Sequence, residues 1–279
     1  MTLRHAQGAP ARGRGAAEET VVYRRFWAGV GERFPDLGGA ASTQYYADNE
    51  QRLLTEHFSP LDGLRLLKTD LWDEAKNTRI LAWAAHRGAR AFGVDISEPT
   101  VVQARTAFTR DAPLRASAAD IRALPFADAS FDAIYSMGTI EHFDETEQAV
   151  REMARVLKPG GRAIIGVPNR HDPFLRPLLA TVMQAVGLYG YGYEKSYSRR
   201  ALRDMLERAG LSVGAETAIL FMPGGLRMLD LACHAWCRPL SVVTGALVWP
   251  FVWLDRHVPA VRRHGYLLAT VAIKPPCTL

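Results

Sequence analysis

Residues 64–97, LRLLKTDLWDEAKNTRILAWAAHRGARAFGVDIS, decide the fold of this chain. The apolar run 64–69 predicts a strand, 70–78 a polar loop, and 79–88 a helix whose apolar residues share one face. A second apolar run follows and ends at Asp95, which places a carboxylate at the tip of a buried strand. Because open α/β sheets bind ligands at the carboxyl ends of their strands, this stretch predicts a ligand-binding unit.

The composition is that of an ordinary globular protein. Of the 279 residues, 48% are hydrophobic and 23% are charged, which is enough apolar material for a sizeable core. The net charge of +5 is mild and lies partly in the N-terminal tail, so it does not indicate nucleic-acid binding. We expect a cytoplasmic protein, because the N-terminus lacks the continuous apolar segment of a signal peptide. The composition does not indicate an oligomeric state.

The chain divides into a tail and one domain. Residues 1–20 are rich in Ala, Gly and Arg and are expected to be disordered, whereas 21–279 are expected to fold together. From residue 98 to residue 168, helical and strand patterns alternate, which favours a parallel, doubly wound α/β sheet. Two late strand patterns enclose an apolar segment at about 223–264, which is predicted to be an insertion before the last strand.

Two helices are expected before the sheet. The first, at 21–34, carries aromatic residues that suggest packing against the body of the domain. The second runs over about 43–58, with Ser42 or Thr43 as its N-cap.

The cysteines do not form a recognisable framework. Three cysteines, an odd number, argue against a secreted disulfide fold. Cys233, His234 and Cys237 are spaced like a fragment of a metal site, but they have no distant partners in the sequence. A shared helix face is the simpler interpretation, and no metal is predicted.

Two aspartates at predicted strand tips are candidates for ligand binding. Asp95 can accept hydrogen bonds from ribose hydroxyls, or it can cap the helix that begins near Ser97. Asp120, after the third predicted strand, can reach an adenine amino group, or it can be a solvated loop residue. Considered singly, neither aspartate decides between these alternatives.

The surrounding motifs resemble a known family. GVDIS (93–97), LPFADASFD (124–132) and EMARVLKPGG (152–161) are similar to segments of the class I S-adenosylmethionine-dependent methyltransferases, particularly those that act on small molecules and quinone-like lipids. The resemblance covers about 43–211. It implies a Rossmann-like, seven-stranded sheet with an antiparallel last strand, and S-adenosylmethionine as cofactor.

The resemblance also assigns residues to the cofactor site. Asp95 and Ile96 would bind the ribose, and Asp120 and Ile121 the adenine. Met137 and Gly138 would line the floor where the methyl donor and the acceptor meet.

The loop after the first strand departs from the family pattern. The family has an acidic residue and three glycines here, whereas this chain has Lys68, then Asp70, Trp72 and Glu74. Glycine allows the backbone to approach a ligand closely, and a helix N-terminus helps to hold anionic groups. We expect a rebuilt loop in which Asp70 or Asp73 binds the cofactor ammonium and Lys68 its carboxylate. The alternative is a degenerate site in a non-catalytic binding or scaffold protein.

Glu141 and His142 follow the fourth predicted strand, where the resemblance places the reacting centre. Methyl transfer sometimes needs a base for the acceptor proton, and the pKa of histidine suits that role. His142 is therefore the candidate catalytic residue. The alternative is that His142 only shapes the pocket.

Residues 239–254, PLSVVTGALVWPFVWL, form an uncharged stretch next to several arginines. A spanning helix needs about 20 apolar residues, and this run is shorter and contains Pro250. Trp249 and Trp253 suit peripheral contact with a membrane interface. A buried helix pair and a dimer interface are the alternatives. The family resemblance implies methyl transfer from S-adenosylmethionine, and we expect the acceptor to be small and hydrophobic.

Overall fold

A single seven-stranded sheet organises the chain, whose computed structural model describes residues 16–187, 190 and 192–276. The strand order is β3-β2-β1-β4-β5-β7-β6, and β7 runs antiparallel to both of its neighbours while the other pairs are parallel. This confirms the predicted Rossmann-like sheet. The strands are β1 Arg65–Lys68, β2 Arg90–Asp95, β3 Arg115–Ala118, β4 Phe131–Met137, β5 Leu157–Pro168, β6 Ser212–Ile219 and β7 Leu267–Ile273.

Helices cover both faces of the sheet and separate its strands along the chain. Their apolar residues and the strands form two buried clusters, one on each side of the sheet. A parallel strand covered on both faces has no solvent side, and β4 is accordingly mostly apolar and buried along nearly its whole length. The helices are α1 Ala16–Arg33, α2 Ala41–Phe58, α3 Trp72–Lys76, α4 Ile80–Ala85, α5 Glu98–Ala104, α6 Thr146–Val156, α7 Arg176–Ala185, α8 Arg199–Arg208, α9 Gly224–Trp236 and α10 Arg238–His257.

The N-terminal helices differ from the predictions at their starts. Helix α1 begins at Ala16, so residues 16–20 are helical where the sequence suggested a tail; the tail up to residue 15 lies outside the described residues. Helix α2 begins at Ala41 and has no side-chain cap, so the predicted cap at Ser42 or Thr43 was wrong. Both residues make tertiary contacts instead, because their polar groups are buried: the Ser42 amide donates to Asp230 and the Thr43 hydroxyl to Asn77.

The segment between β6 and β7 folds into α9, α10 and a short 3₁₀ turn at Pro259–Arg263. Buried polar contacts attach these helices to each other and to α2. Asp230 of α9 accepts from Thr244 of α10 at 2.6 Å, and Asp255 of α10 accepts from Arg52 of α2 at 2.6 Å. The predicted insertion is therefore positioned beside the carboxyl ends of β1 and β4, where it adds a wall to the site described next.

Candidate functional site

A cavity of about 570 Å³ lies at the carboxyl ends of the central strands. Small-molecule sites commonly have volumes of about 300–1,000 Å³, so the cavity can hold a nucleoside-sized ligand. Residues after β1, β2, β3 and β4 form its floor, while α1 and α9 contribute its outer walls. Seven of the eight predicted cofactor residues line it, as does His142: Asp70, Asp95, Ile96, Asp120, Ile121, Met137 and Gly138.

Asp95 has hydrogen-bonding capacity left for a ligand. Its two carboxylate oxygens accept from the amides of Leu71 at 2.9 Å and Ser97 at 2.8 Å. A carboxylate offers about four acceptor positions, so about two remain open. The cap of helix α5 is Ser97, whose hydroxyl accepts from Thr100, so Asp95 does not itself cap that helix. Burial raises the pKa of Asp95 to about 6, despite the two amide bonds.

Asp120 is held by a neighbour that the sequence analysis did not identify. Arg122 donates to the Asp120 carboxylate at 2.7 Å and to Glu145 at 2.8 Å, and Thr20 of helix α1 donates to Asp120 at 3.2 Å. Burial alone would raise the pKa of Asp120, but the bonds from Arg122 outweigh it and lower that pKa. The carboxylate is thus fixed in its ionised form at the cavity wall, next to the buried Ile121.

Met137 and Gly138 end β4 at the floor of the cavity. Gly138 has a φ of +71°, a left-handed conformation that favours glycine, and its amide donates to Gly166 of β5 at 3.0 Å. Met137 packs so closely over Gly166 that any side chain at that position would collide with it. The floor is therefore fixed by close backbone packing.

The glycine-free loop is built around Lys68. The Lys68 ammonium donates to the backbone carbonyl of Asp70 at 2.9 Å, to its carboxylate at 3.1 Å, and to Asp73 at 3.5 Å. Burial would lower the pKa of Lys68, but these and nearby carboxylates raise it, so the ammonium stays charged. Its side chain is only 1% exposed and does not line the cavity. Lys68 bonds within the loop and does not line the cavity in this structure, so its predicted contact with a cofactor carboxylate has no support from this geometry.

Glu74 occupies the amino end of helix α4. Its carboxylate accepts from the amides of Leu81 at 2.8 Å and Ala82 at 3.2 Å. Burial raises its pKa to about 7. The helix N-terminus that was expected to help hold an anionic group of the ligand is thus already bonded to a carboxylate of the chain. The loop nevertheless lines the cavity without filling it.

His142 lies in a short 3₁₀ turn, Ile140–His142, at the cavity wall. Its Nδ1 lies 2.9 Å from the carbonyl oxygen of Tyr193, and the edge of Trp27 packs against its ring at a centroid distance of 4.8 Å. A carbonyl can only accept, so Nδ1 carries the hydrogen in the neutral ring and Nε2, which lies 4.0 Å from a carboxylate oxygen of Glu141, carries the lone pair. Burial lowers the pKa of His142, which keeps the ring neutral near pH 7.

The described part of the chain contains no candidate metal-binding cluster. Cys233 is buried on α9, and Cys237 is exposed at the end of that helix. Within residues 16–187, 190 and 192–276, no group of three or more His, Cys, Asp or Glu side chains is arranged to hold a metal ion.

Comparisons with known proteins agree with this geometry. The family model described as a methyltransferase domain matches residues 76–165. The chain is 31% identical over 147 residues to a probable S-adenosylmethionine-dependent methyltransferase of Mycolicibacterium smegmatis, covering 50% of this chain and 50% of that protein. It is 32% identical over 146 residues to the demethylmenaquinone methyltransferase of Thermus thermophilus, covering 46% of this chain and 66% of that protein. The chain thus spans only part of the length of these relatives.

Solved structures share the whole fold. Magnesium protoporphyrin IX methyltransferase of Synechocystis, with bound S-adenosylhomocysteine, superposes with a TM-score of 0.59 at 14% identity, covering 91% of this chain and 99% of that one. The 1,6-didemethyltoxoflavin N1-methyltransferase of Burkholderia thailandensis superposes with a TM-score of 0.57 at 14% identity, covering 98% of each chain. At such identity these likenesses concern the fold alone. The family match over residues 76–165 and the sequence relatives identify the central part of this chain as a class I S-adenosylmethionine-dependent methyltransferase domain, whose cofactor is S-adenosylmethionine, and the solved structures share its fold.

Proposed function

We propose that this chain transfers a methyl group from S-adenosylmethionine to a small, hydrophobic acceptor. The observation that carries the proposal is the mixed lining of the cavity. It includes the hydrogen-bonding carboxylates of Asp95 and Asp120 on the strand tips. It also includes aromatic rings, among them Trp27, Phe143 and Trp236.

Different residues of the site have different roles in the reaction. S-adenosylmethionine supplies an electrophilic methyl group on a positively charged sulfur. Asp95 and Asp120 bind and orient the adenosine portion, and the aromatic rings hold the acceptor and exclude water. His142 takes the acceptor proton at Nε2 while the acceptor atom displaces the sulfur in line. Positioning and desolvation supply most of the rate.

Binding and product measurements separate this proposal from a non-catalytic scaffold with the same fold. We expect calorimetric titration with S-adenosylhomocysteine to give saturable binding. We also expect incubation with S-adenosylmethionine and a panel of small phenols, quinols and heterocycles to give a product heavier by one methylene. The absence of binding at millimolar ligand would favour the scaffold.

His142 provides a prediction for the chemical step. Because a glutamine side chain cannot take up the acceptor proton, His142→Gln should lower kcat for the acceptor found in the screen. The dissociation constant of S-adenosylhomocysteine should stay within about twofold of wild type, since the substitution leaves the strand tips intact. An unchanged kcat would instead mean that His142 only shapes the pocket.

Peripheral membrane contact through residues 239–254 is a second part of the proposal, and the exposed apolar surface favours it. Helix α10 buries only Thr244, Val248 and Asp255, which does not fit the buried helix pair considered from the sequence. Trp249 is 63% exposed and Trp253 44%. Neighbouring exposed apolar side chains of this kind suggest an interaction surface. Helix α7, which contacts α9, exposes a further apolar stripe at Leu175, Leu178, Leu179, Val182 and Val186.

A bilayer with anionic headgroups is the occupant that fits this surface. Arg238 and Arg263 are exposed beside α10, and no acidic residue lies between Asp230 and Asp255. Trp236 is 75% exposed and also lines the cavity, so the apolar surface reaches the cavity mouth. A lipid-dissolved acceptor would enter there. No described helix is long and apolar enough to cross a bilayer.

Removing two tryptophans tests the membrane contact. Trp249→Ser together with Trp253→Ser should weaken binding to phosphatidylglycerol-containing vesicles by about tenfold or more, because buried aromatic area drives interfacial binding. Flotation of the vesicles with bound protein measures this. Val102→Ser, which alters an exposed apolar residue of helix α5, is the matched control. Unchanged flotation of the double variant, or a wild-type dimer that the double variant dissociates, would contradict the membrane contact.

A further inference from the structure

Helix α9 brings a guanidinium to the wall of the cavity. Arg227, Leu231 and Ala235 follow one another at intervals of four residues and all line the cavity. The Arg227 guanidinium carbon lies 4.9 Å from the ring centre of Tyr46 on α2 and 5.8 Å from that of Tyr266 before β7. Two aromatic rings thus hold this cation in place.

Within the described residues, the Arg227 guanidinium has no anionic partner. Its Nη1 is buried and has no hydrogen-bond acceptor there. Two acidic residues of this region are engaged elsewhere. Asp230, three residues along α9, accepts from Ser42 and Thr244, and Glu194, which lines the same cavity, is paired with Arg176. A buried donor without an acceptor is costly, so the arrangement is complete only when a ligand supplies one.

Carboxylates also lie near Tyr46, which lines the cavity together with Arg227. Burial, Glu50 and Asp73 raise the pKa of the Tyr46 hydroxyl well above its usual value, while Arg227 lowers it, so both charges lie close to that ring. Asp70 and Asp73 line the same cavity as Arg227. An α-amino acid group carries one ammonium and one carboxylate, and this part of the cavity offers a partner for each.

We infer that Arg227 binds the carboxylate of the amino-acid portion of S-adenosylmethionine, the role that the sequence suggested for Lys68. The inference rests on the proposed function. It makes the insertion part of the cofactor site, because α9 supplies the cation that the rebuilt loop uses internally through Lys68. The ammonium of the same amino acid faces Asp70 and Asp73.

Two ligands that differ only in the amino-acid portion test this assignment. S-adenosylhomocysteine has that portion, whereas 5′-deoxy-5′-methylthioadenosine keeps the adenosine and the sulfur without it. Arg227→Gln should lower the affinity for S-adenosylhomocysteine about tenfold or more in calorimetric titration, as expected for the loss of a charge-assisted hydrogen bond. Binding of methylthioadenosine should stay within about twofold of wild type.

Control variants keep the result interpretable. Arg227→Lys should retain part of the S-adenosylhomocysteine affinity, because it keeps the charge, and melting curves of both variants report whether the fold is intact. Arg200→Gln, which alters a 91% exposed side chain on α8, should bind both ligands like wild type. The inference is overturned if Arg227→Gln binds S-adenosylhomocysteine with wild-type affinity. It is also overturned if the variant loses affinity equally for both ligands. Failure of the wild-type protein to bind either ligand overturns the proposed function instead.

Discussion

The Lys68→Met variant should be less stable than wild type by about 3–5 kcal/mol, the usual cost of removing one partner from a buried ion pair. The Lys68 ammonium is the buried cation between Asp70, at 3.1 Å, and Asp73, at 3.5 Å. Glu50 and Glu74 also contribute to holding it charged. Without it, these carboxylates are buried with no counter-ion. Denaturant unfolding followed by circular dichroism measures the difference in free energy.

The loss of stability should grow with pH. Burial raises the pKa of Glu74 to about 7 and that of Glu50 well above its usual value, even with Lys68 present. Groups with a raised pKa in the folded state stabilise it fully below the unfolded pKa, and this contribution is lost as the pH rises through the folded pKa. Removing the cation raises these values further, so Lys68→Met should unfold more easily at pH 8 than at pH 5.

Lys158→Met is the matched control, because Lys158 pairs with Asp132 at the surface with 39% of its side chain exposed. Exposed pairs contribute about 0–1 kcal/mol, so this variant should be close to wild type at every pH. If Lys68→Met lowered the free energy of unfolding at pH 7 no more than Lys158→Met does, the carboxylates around Lys68 would have to be neutral in the folded protein.

The fold was predictable because its signals are local. The segments that become β2 and β4 are mostly apolar because both faces of the sheet are covered, and the position of Asp95 follows from where its strand ends. The sequence also located the departure at 68–78, since the missing glycines are visible without a structure. What the loop does instead depends on contacts across the chain and could not be read from local patterns.

The remaining features of the site depend on residues far apart in sequence. The Glu74 carboxylate caps a helix seven residues later, while Arg227 comes from an insertion that the sequence identified only by its hydrophobicity. An arginine flanked by Met and Leu on an apolar helix gives no signal of its own until Tyr46 and Tyr266 are found on either side of it. Arg122 could have been identified from the sequence as a partner of Asp120, since it lies only two residues after it in the same motif.

Asp95→Ala should weaken S-adenosylhomocysteine binding by about a hundredfold or more, because two hydrogen bonds to a charged acceptor contribute about 1.5–3 kcal/mol each. The expectation rests on the acceptor positions that the amides of Leu71 and Ser97 leave open on the carboxylate. Calorimetric titration at pH 7.5 measures the effect. Asp204→Ala, on helix α8 with 46% of the side chain exposed, is the matched control and should bind like wild type.

The pH dependence of wild-type binding identifies the carboxylate itself as the acceptor. With a pKa of about 6, Asp95 is mostly protonated at pH 5 and mostly ionised at pH 7. A protonated carboxyl accepts fewer hydrogen bonds, so the dissociation constant should be about tenfold larger at pH 5 than at pH 7. Asp95→Asn keeps one acceptor oxygen but does not titrate, so its weaker binding should be independent of pH over this range. A wild-type affinity that does not change between pH 5 and pH 7, together with full binding by Asp95→Ala, would mean that the strand-tip carboxylate serves only the amides of Leu71 and Ser97.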